Sequence, residues 1–134
     1  MSALRALIMA LPIAVMSIPA AAGSDFSGSW TVTLMNAHPA SLDGQSACFD
    51  FTETGTVDDR QDSGTFTIAG TSVAGQYYLI DRVLMAFASL PNNGYLVLTG
   101  RFDPTQDSLM HTSFLEVVSG QISTATFTAT SDCS

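Results

Sequence analysis

Two histidines, His38 and His111, are the side chains of this 134-residue chain best suited to act as a general base near neutral pH. His38 stands beside Pro39 in a turn-rich stretch, and His111 lies in a run that reads as a strand. No nucleophile motif accompanies either one. Gly70-Thr-Ser72-Val-Ala-Gly75 is one residue too long for the Gly-x-Ser-x-Gly elbow. The chain reads as a binding protein rather than an enzyme, with no cofactor expected. Two histidines so far apart, with both cysteines expected to be oxidised, also offer no zinc site. Asp58, Asp59 and Asp62 cluster before Gly64, and Asp103 and Asp107 flank a second loop, but the Asp-x-Asp-x-Asp-Gly spacing of a calcium loop is absent. A solvated acidic turn is the reading these carboxylates support.

The aromatic residues are the remaining candidates for binding. Trp30, Phe49, Phe66, Tyr77 and Phe102, with Phe51, Phe114 and Phe127, are placed to face one common interior. In a larger barrel such rings line a cavity for a small apolar ligand, whereas in a chain of this length they are expected to fill it. Tyr78, Tyr95 and the second apolar face of Val83 to Leu90 form a candidate exposed patch for a protein partner or a homodimer.

These side chains must be held by strands. Trp30, Val32 and Leu34 alternate with Thr31 and Thr33, the period of a strand with one face buried and one in water. Asn36 to Gln45 is a loop by composition, and Ala47, Phe49 and Phe51 alternate through a second strand. Thr54 to Ser63 is polar and acidic and reads as a second long connection. Phe66 and Ile68 mark a third strand, while Val73, Gly75, Tyr77 and Leu79 share a face of a fourth, followed by a tight turn at Ile80, Asp81 and Arg82. Val83 to Leu90 is apolar on both faces, which suits a strand or a short helix, and we read it as a strand. Pro91, Asn92, Asn93 and Gly94 supply the next turn, the Asn93-Gly94 pair favouring type I′, into Tyr95 to Phe102. Leu109 to Val118 and Gln121 to Thr130, joined at Ser119 and Gly120, bring the count to about eight.

Such evenly spaced strands predict an all-β antiparallel meander, closed or partly open as a barrel, with a β-sandwich as the alternative. A loose Gly-x-aromatic repeat runs through it: Gly28-Ser-Trp30, Gly64-Thr-Phe66, Gly75-Gln-Tyr77 and Gly100-Arg-Phe102. Glycine at that position lets a strand bend while a ring fills the space.

Met1 to Ala22 carries Arg5, an apolar run interrupted by Pro12, and then Ala20, Ala21 and Ala22. This is the pattern of a secretory signal peptide cleaved near Ala22, and it is too short for a bilayer span. Residues 23–134 then form a single domain, secreted or periplasmic and free of the membrane. That domain keeps Arg60, Arg82 and Arg101 against all twelve carboxylates and has no lysine. Nucleic acid and anionic membranes select for basic patches, so both are excluded as partners.

Cys48 and Cys133 are an even pair behind an export signal and predict one disulfide. They also pose a geometric problem. In a strict eight-stranded meander the last strand ends at the rim opposite the start of the second. The bridge then requires a tail that doubles back, or an odd number of strands.

The Gly28-Ser-Trp30 opening is similar to the Gly-x-Trp that begins lipocalins, avidins and the small bacterial metalloproteinase inhibitors, and Tyr95-Leu-Val-Leu-Thr-Gly-Arg-Phe-Asp103 resembles an avidin strand. The resemblance implies the architecture of the calycin-like up-and-down barrels. It does not bring biotin with it, because avidin-like sites use several tryptophans and Trp30 is alone. The expected function is binding: of an unknown protein, as an inhibitor of secreted enzymes would, or of a small apolar ligand. An inhibitor would present Asn36 to Gln45 or Thr54 to Ser63 as an ordered loop.

Overall fold

The computed structural model describes residues 26–58 and 61–133, with the side chains of 56–58 left aside. The leader expected at Met1 to Ala22, together with Asp59 and Arg60, lies outside the described residues. Eight antiparallel strands follow one another round a closed barrel: β1 Gly28–His38, β2 Ser46–Asp58, β3 Gln61–Ile68, β4 Ala74–Ile80, β5 Val83–Leu90, β6 Gly94–Asp103, β7 Ser108–Val118 and β8 Gln121–Ser131. The chain is thus the all-β closed meander that the calycin-like resemblance implied, and the sandwich is excluded. Val83–Leu90 is a strand whose residues alternate between exposed and buried from end to end.

Closure works because the inward residues are large and carbon-rich while β1 finds β8 as its second neighbour. An open sheet would leave two rows of unpaired amides, and the β1–β8 ladder removes both edges. One end of the barrel, here called the mouth, is formed by the start of β1 and the hairpins β2–β3, β4–β5 and β6–β7. The other rim is covered by Leu42, buried on a short 3-10 turn, Ala40–Leu42. Asn36 to Gln45 is therefore folded down rather than protruding. The Leu34 amide donates to the Gln45 carbonyl, the Gly44 amide to the Leu34 carbonyl and the Ala37 amide to Asp43 Oδ1.

The glycine repeat has a cross-strand meaning. In the β3–β4 ladder Gly64 faces Tyr77 and Phe66 faces Gly75. A Cβ on Gly64 would lie 2.8 Å from Tyr77 Cε1, and one on Gly75 would lie 2.6 Å from Phe66 Cε1. Each ring lies over the glycine of the neighbouring strand, so the two motifs are complementary halves of one contact, a form of aromatic rescue.

Three expectations need correction. Thr54 to Ser63 is not a long connection, because β2 runs on to Asp58 and β3 starts at Gln61. Its polar composition suggested a loop, but antiparallel pairing with β3 continues through it, with two register shifts. Asp62 is accordingly buried on the inner face of β3 and is not part of a solvated acidic turn. The turn after β5 is centred one residue earlier than read: Asn92 and Asn93 have φ of 60°, and the Gly94 amide donates to the Pro91 carbonyl. His111 lies in a strand as read, at an irregularity where φ is 51° and the β7–β8 register shifts between Ser108 and Phe114. There the Thr112 hydroxyl replaces a ladder partner, donating to the Phe127 carbonyl at 2.6 Å and accepting from its amide at 2.8 Å.

Cys48 and Cys133 form the disulfide, with Cα atoms 5.8 Å apart and a sequence separation of 85. The strand count is even, so the tail supplies the solution. Asp132 has φ of 73° and pairs in parallel with Trp30, against the antiparallel run of β8. Its amide donates to the Ser29 carbonyl and its carbonyl accepts from the Thr31 hydroxyl. Barrel stagger does the rest. Cys48 lies opposite Thr31, near the start of β1 and not at the far rim, because β2 extends well beyond the end of its pairing with β1.

Candidate functional site

Trp30, Phe49, Phe66, Tyr77 and Phe102 all point inward and are buried. They come together, but around a ring that sequence reasoning did not place among them. Phe26, just before β1, folds into the mouth with centroids 5.3 Å from Trp30, 4.7 Å from Phe51, 5.6 Å from Tyr77 and 5.5 Å from Phe102. Trp30 Nε1 donates to the Phe26 carbonyl at 2.7 Å, which fixes both the indole and the residue that stoppers it. Deeper in, Phe49 stacks on Phe66 at 5.8 Å and Phe51 meets Tyr77 edge-on at 5.2 Å. The rings thus touch one another at the distances of a packed aromatic core.

At the mouth the inner lining changes from carbon to oxygen. Glu53 faces inward on the parity of Phe49 and Phe51, and Asp62 on the parity of Gly64 and Phe66. Asp62 is 5% exposed and Tyr77 0%. Both Asp62 carboxylate oxygens, Glu53 Oε2 and the Tyr77 hydroxyl are buried atoms with no hydrogen-bond donor facing them among the described residues. Burial, reinforced by the neighbouring Asp62 carboxyl, pushes the Glu53 carboxyl above its usual range. Burial and then the two carboxylates push the Tyr77 phenol up as well. A third inward acid, Glu116, sits toward the other rim between Leu96 and Ser123 and is also buried.

The outer surface departs from pattern in the opposite sense. Tyr78, Ile80, Val83, Met85, Phe87 and Tyr95 are between 39% and 50% exposed on neighbouring strands β4, β5 and β6. Tyr78 lies opposite Met85 and Ile80 opposite Val83, while the Tyr78 and Phe87 rings stack at 6.3 Å. The outward positions of β4 and β5 carry no charged residue. Arg101, opposite Val83, and the turn residues Asp81 and Arg82 lie at one end of the patch. Asp103 stands nearby, its carboxyl held below the ordinary range by the Thr105 hydroxyl first and by the backbone amides and Arg82 in smaller measure.

No protein family, curated protein or solved structure matches this chain. Its function must therefore be read from these two places. The histidines do not join either of them: His38 ends β1 and His111 rises from the irregular part of β7, both exposed. Among the described residues no three of His, Cys, Asp and Glu are grouped as metal ligands would be. None of their helices is long and apolar enough to cross a membrane.

Proposed function

We propose that this chain is an exported, non-enzymatic binding domain that works through the outer face of β4, β5 and β6, and that this face first meets a second copy of itself. The observation that carries the reading is the continuous set Tyr78, Ile80, Val83, Met85, Phe87 and Tyr95, exposed on adjacent strands. Side chains of this size, each about half exposed, offer on the order of 500 Å² of carbon surface, within the range of interaction patches. With a polar rim of Gln76, Ser89 and Thr99, the face approaches the roughly 800 Å² that each partner of a stable complex contributes.

Charge selects the occupant. The chain carries a formal net charge of −8, so two copies repel wherever carboxylates face each other. The outward positions of β4 and β5 are free of charge, and a two-fold arrangement brings that neutral face against its own image. A closed barrel has no free strand edge to extend, which leaves side-chain packing as the way to associate. The packed aromatic interior favours this outer face over an internal apolar ligand. Export is supported by the Cys48–Cys133 disulfide, a bond that persists in oxidising compartments.

Sedimentation equilibrium of residues 23–134 with the disulfide intact tests the reading. The wild type is expected to be dimeric at micromolar concentration and Met85→Glu monomeric with an unchanged circular dichroism spectrum. A wild type that stays monomeric into the high micromolar range would remove the self-association claim.

A further inference from the structure

The oxygen-lined mouth is a second site, independent of the outer face. Three side chains from three strands converge over one glycine. Glu53 on β2 and Tyr77 on β4 are both register partners of Gly64 on β3, and Asp62 precedes Gly64 by two residues on the same face. The Tyr77 ring lies over Gly64, within 2.8 Å of where a Cβ would stand, so the ring reaches across β3 toward β2 and Glu53. Its hydroxyl nevertheless finds no hydrogen-bond donor or acceptor among the described residues, and Asp62 Oδ1, Asp62 Oδ2 and Glu53 Oε2, as ionised oxygens, find no donor there either. A buried carboxyl, a half-buried one that can hydrogen-bond to it when one of the two keeps its proton, and a buried phenol form, once both acids are ionised, an arrangement that a cation would complete, since leaving such groups unmatched is costly.

We propose that Glu53, Asp62 and the Tyr77 hydroxyl form a receptor for one alkylammonium group at the mouth of the barrel. An ammonium has three N–H donors and three acceptor side chains surround the position. Its charge relieves the repulsion between the carboxylates. The Phe26 and Phe51 rings packed around Tyr77 suit the attached carbon chain and add cation–π attraction. A calcium ion would need six or more oxygen ligands, which this trio does not supply. Glu53 is only half-buried and forms the lip through which the group enters, while Asp62 and Tyr77 form the closed side.

Titration calorimetry of the disulfide-intact protein at neutral pH, with n-butylammonium chloride as the probe and n-butanol and calcium chloride as controls, tests this. Saturable binding is expected for n-butylammonium alone. Asp62→Asn should weaken it roughly tenfold or more and Tyr77→Phe by less. Both variants are checked by circular dichroism, and Glu53→Gln, at the more exposed lip, serves if either fails to fold. No saturable response to the amine, a response to calcium only, or wild-type affinity retained in both Asp62→Asn and Glu53→Gln would each overturn the proposal. So would stability that varies with pH yet is indifferent to the amine, which identifies a shared proton as the sole occupant.

Discussion

The β2–β3 pair and the β4–β5 pair are neighbours in one barrel, yet they break the same rule in opposite directions. β2–β3 turns two carboxylates inward, Asp62 buried and Glu53 half-buried at the lip of the mouth. β4–β5 turns Tyr78, Ile80, Val83, Met85 and Phe87 toward water. Stability alone would place carbon inside the first pair and polar groups outside the second. A small domain with a modest core has little margin to carry such inversions, so they are where function is to be sought. The two inversions are also chemically complementary to different things, a cation inside and a neutral protein face outside.

The largest way to disturb the comparison is to cut the tail that pins β2. Replacing Cys133 with Ser opens an 85-residue closure and should cost about 3 to 5 kcal/mol in urea unfolding. Hydrogen exchange should then accelerate in β1, β2 and β8 before β4 and β5. Phe26→Ala removes the ring that stoppers the mouth and should cost about 3 kcal/mol or more, while leaving association through the outer face intact. Urea titration and sedimentation of the same sample check both halves.

A smaller effect separates the acids. Glu53 binds its proton more tightly in the folded protein than in the unfolded chain, so its contribution to stability is full below the unfolded value, 4.5, and is lost as pH rises through the raised folded value. Unfolding free energy measured from pH 4 upward should fall, and Glu53→Gln should flatten that fall. Asp50, raised by burial, adds a slope of the same sign that survives in the variant. Smallest of all, Met85→Glu, compared with wild type at concentrations where both are monomeric, should change unfolding free energy by no more than about 0.5 kcal/mol while abolishing association at higher concentration. A large loss of stability there would mean that Met85 supports its own barrel rather than a partner.

Most of the barrel was legible because alternation is a strong signal wherever hydroxyl and carbon positions trade places, as from Trp30 to Leu34 or Ala125 to Ala129. Where alternation and composition disagreed, composition misled. Thr54 to Ser63 looked like a loop because it is polar, yet continuing the parity of Phe49 and Phe51 to Glu53, and of Phe66 back to Asp62, would have placed both acids inside. The outer patch was visible for the same reason, since Val83–Leu90 offers carbon on both parities. Phe26 was not visible, because a residue before the first strand has no parity. Its position depends on the Trp30 indole donating back to its carbonyl. The disulfide was legible as a pair but not as a path, because stagger between strands and a reversal at Asp132 are properties of the closed sheet.

The claim on which the account rests is that strand parity carries Glu53 and Asp62 into the barrel side by side. Carbon-13 NMR of the side-chain carboxyls across a pH titration reads this directly. Glu53 should titrate above the ordinary glutamate range in the wild type and return toward it in Asp62→Asn. A Glu53 that titrates at its ordinary value in both proteins would contradict the account.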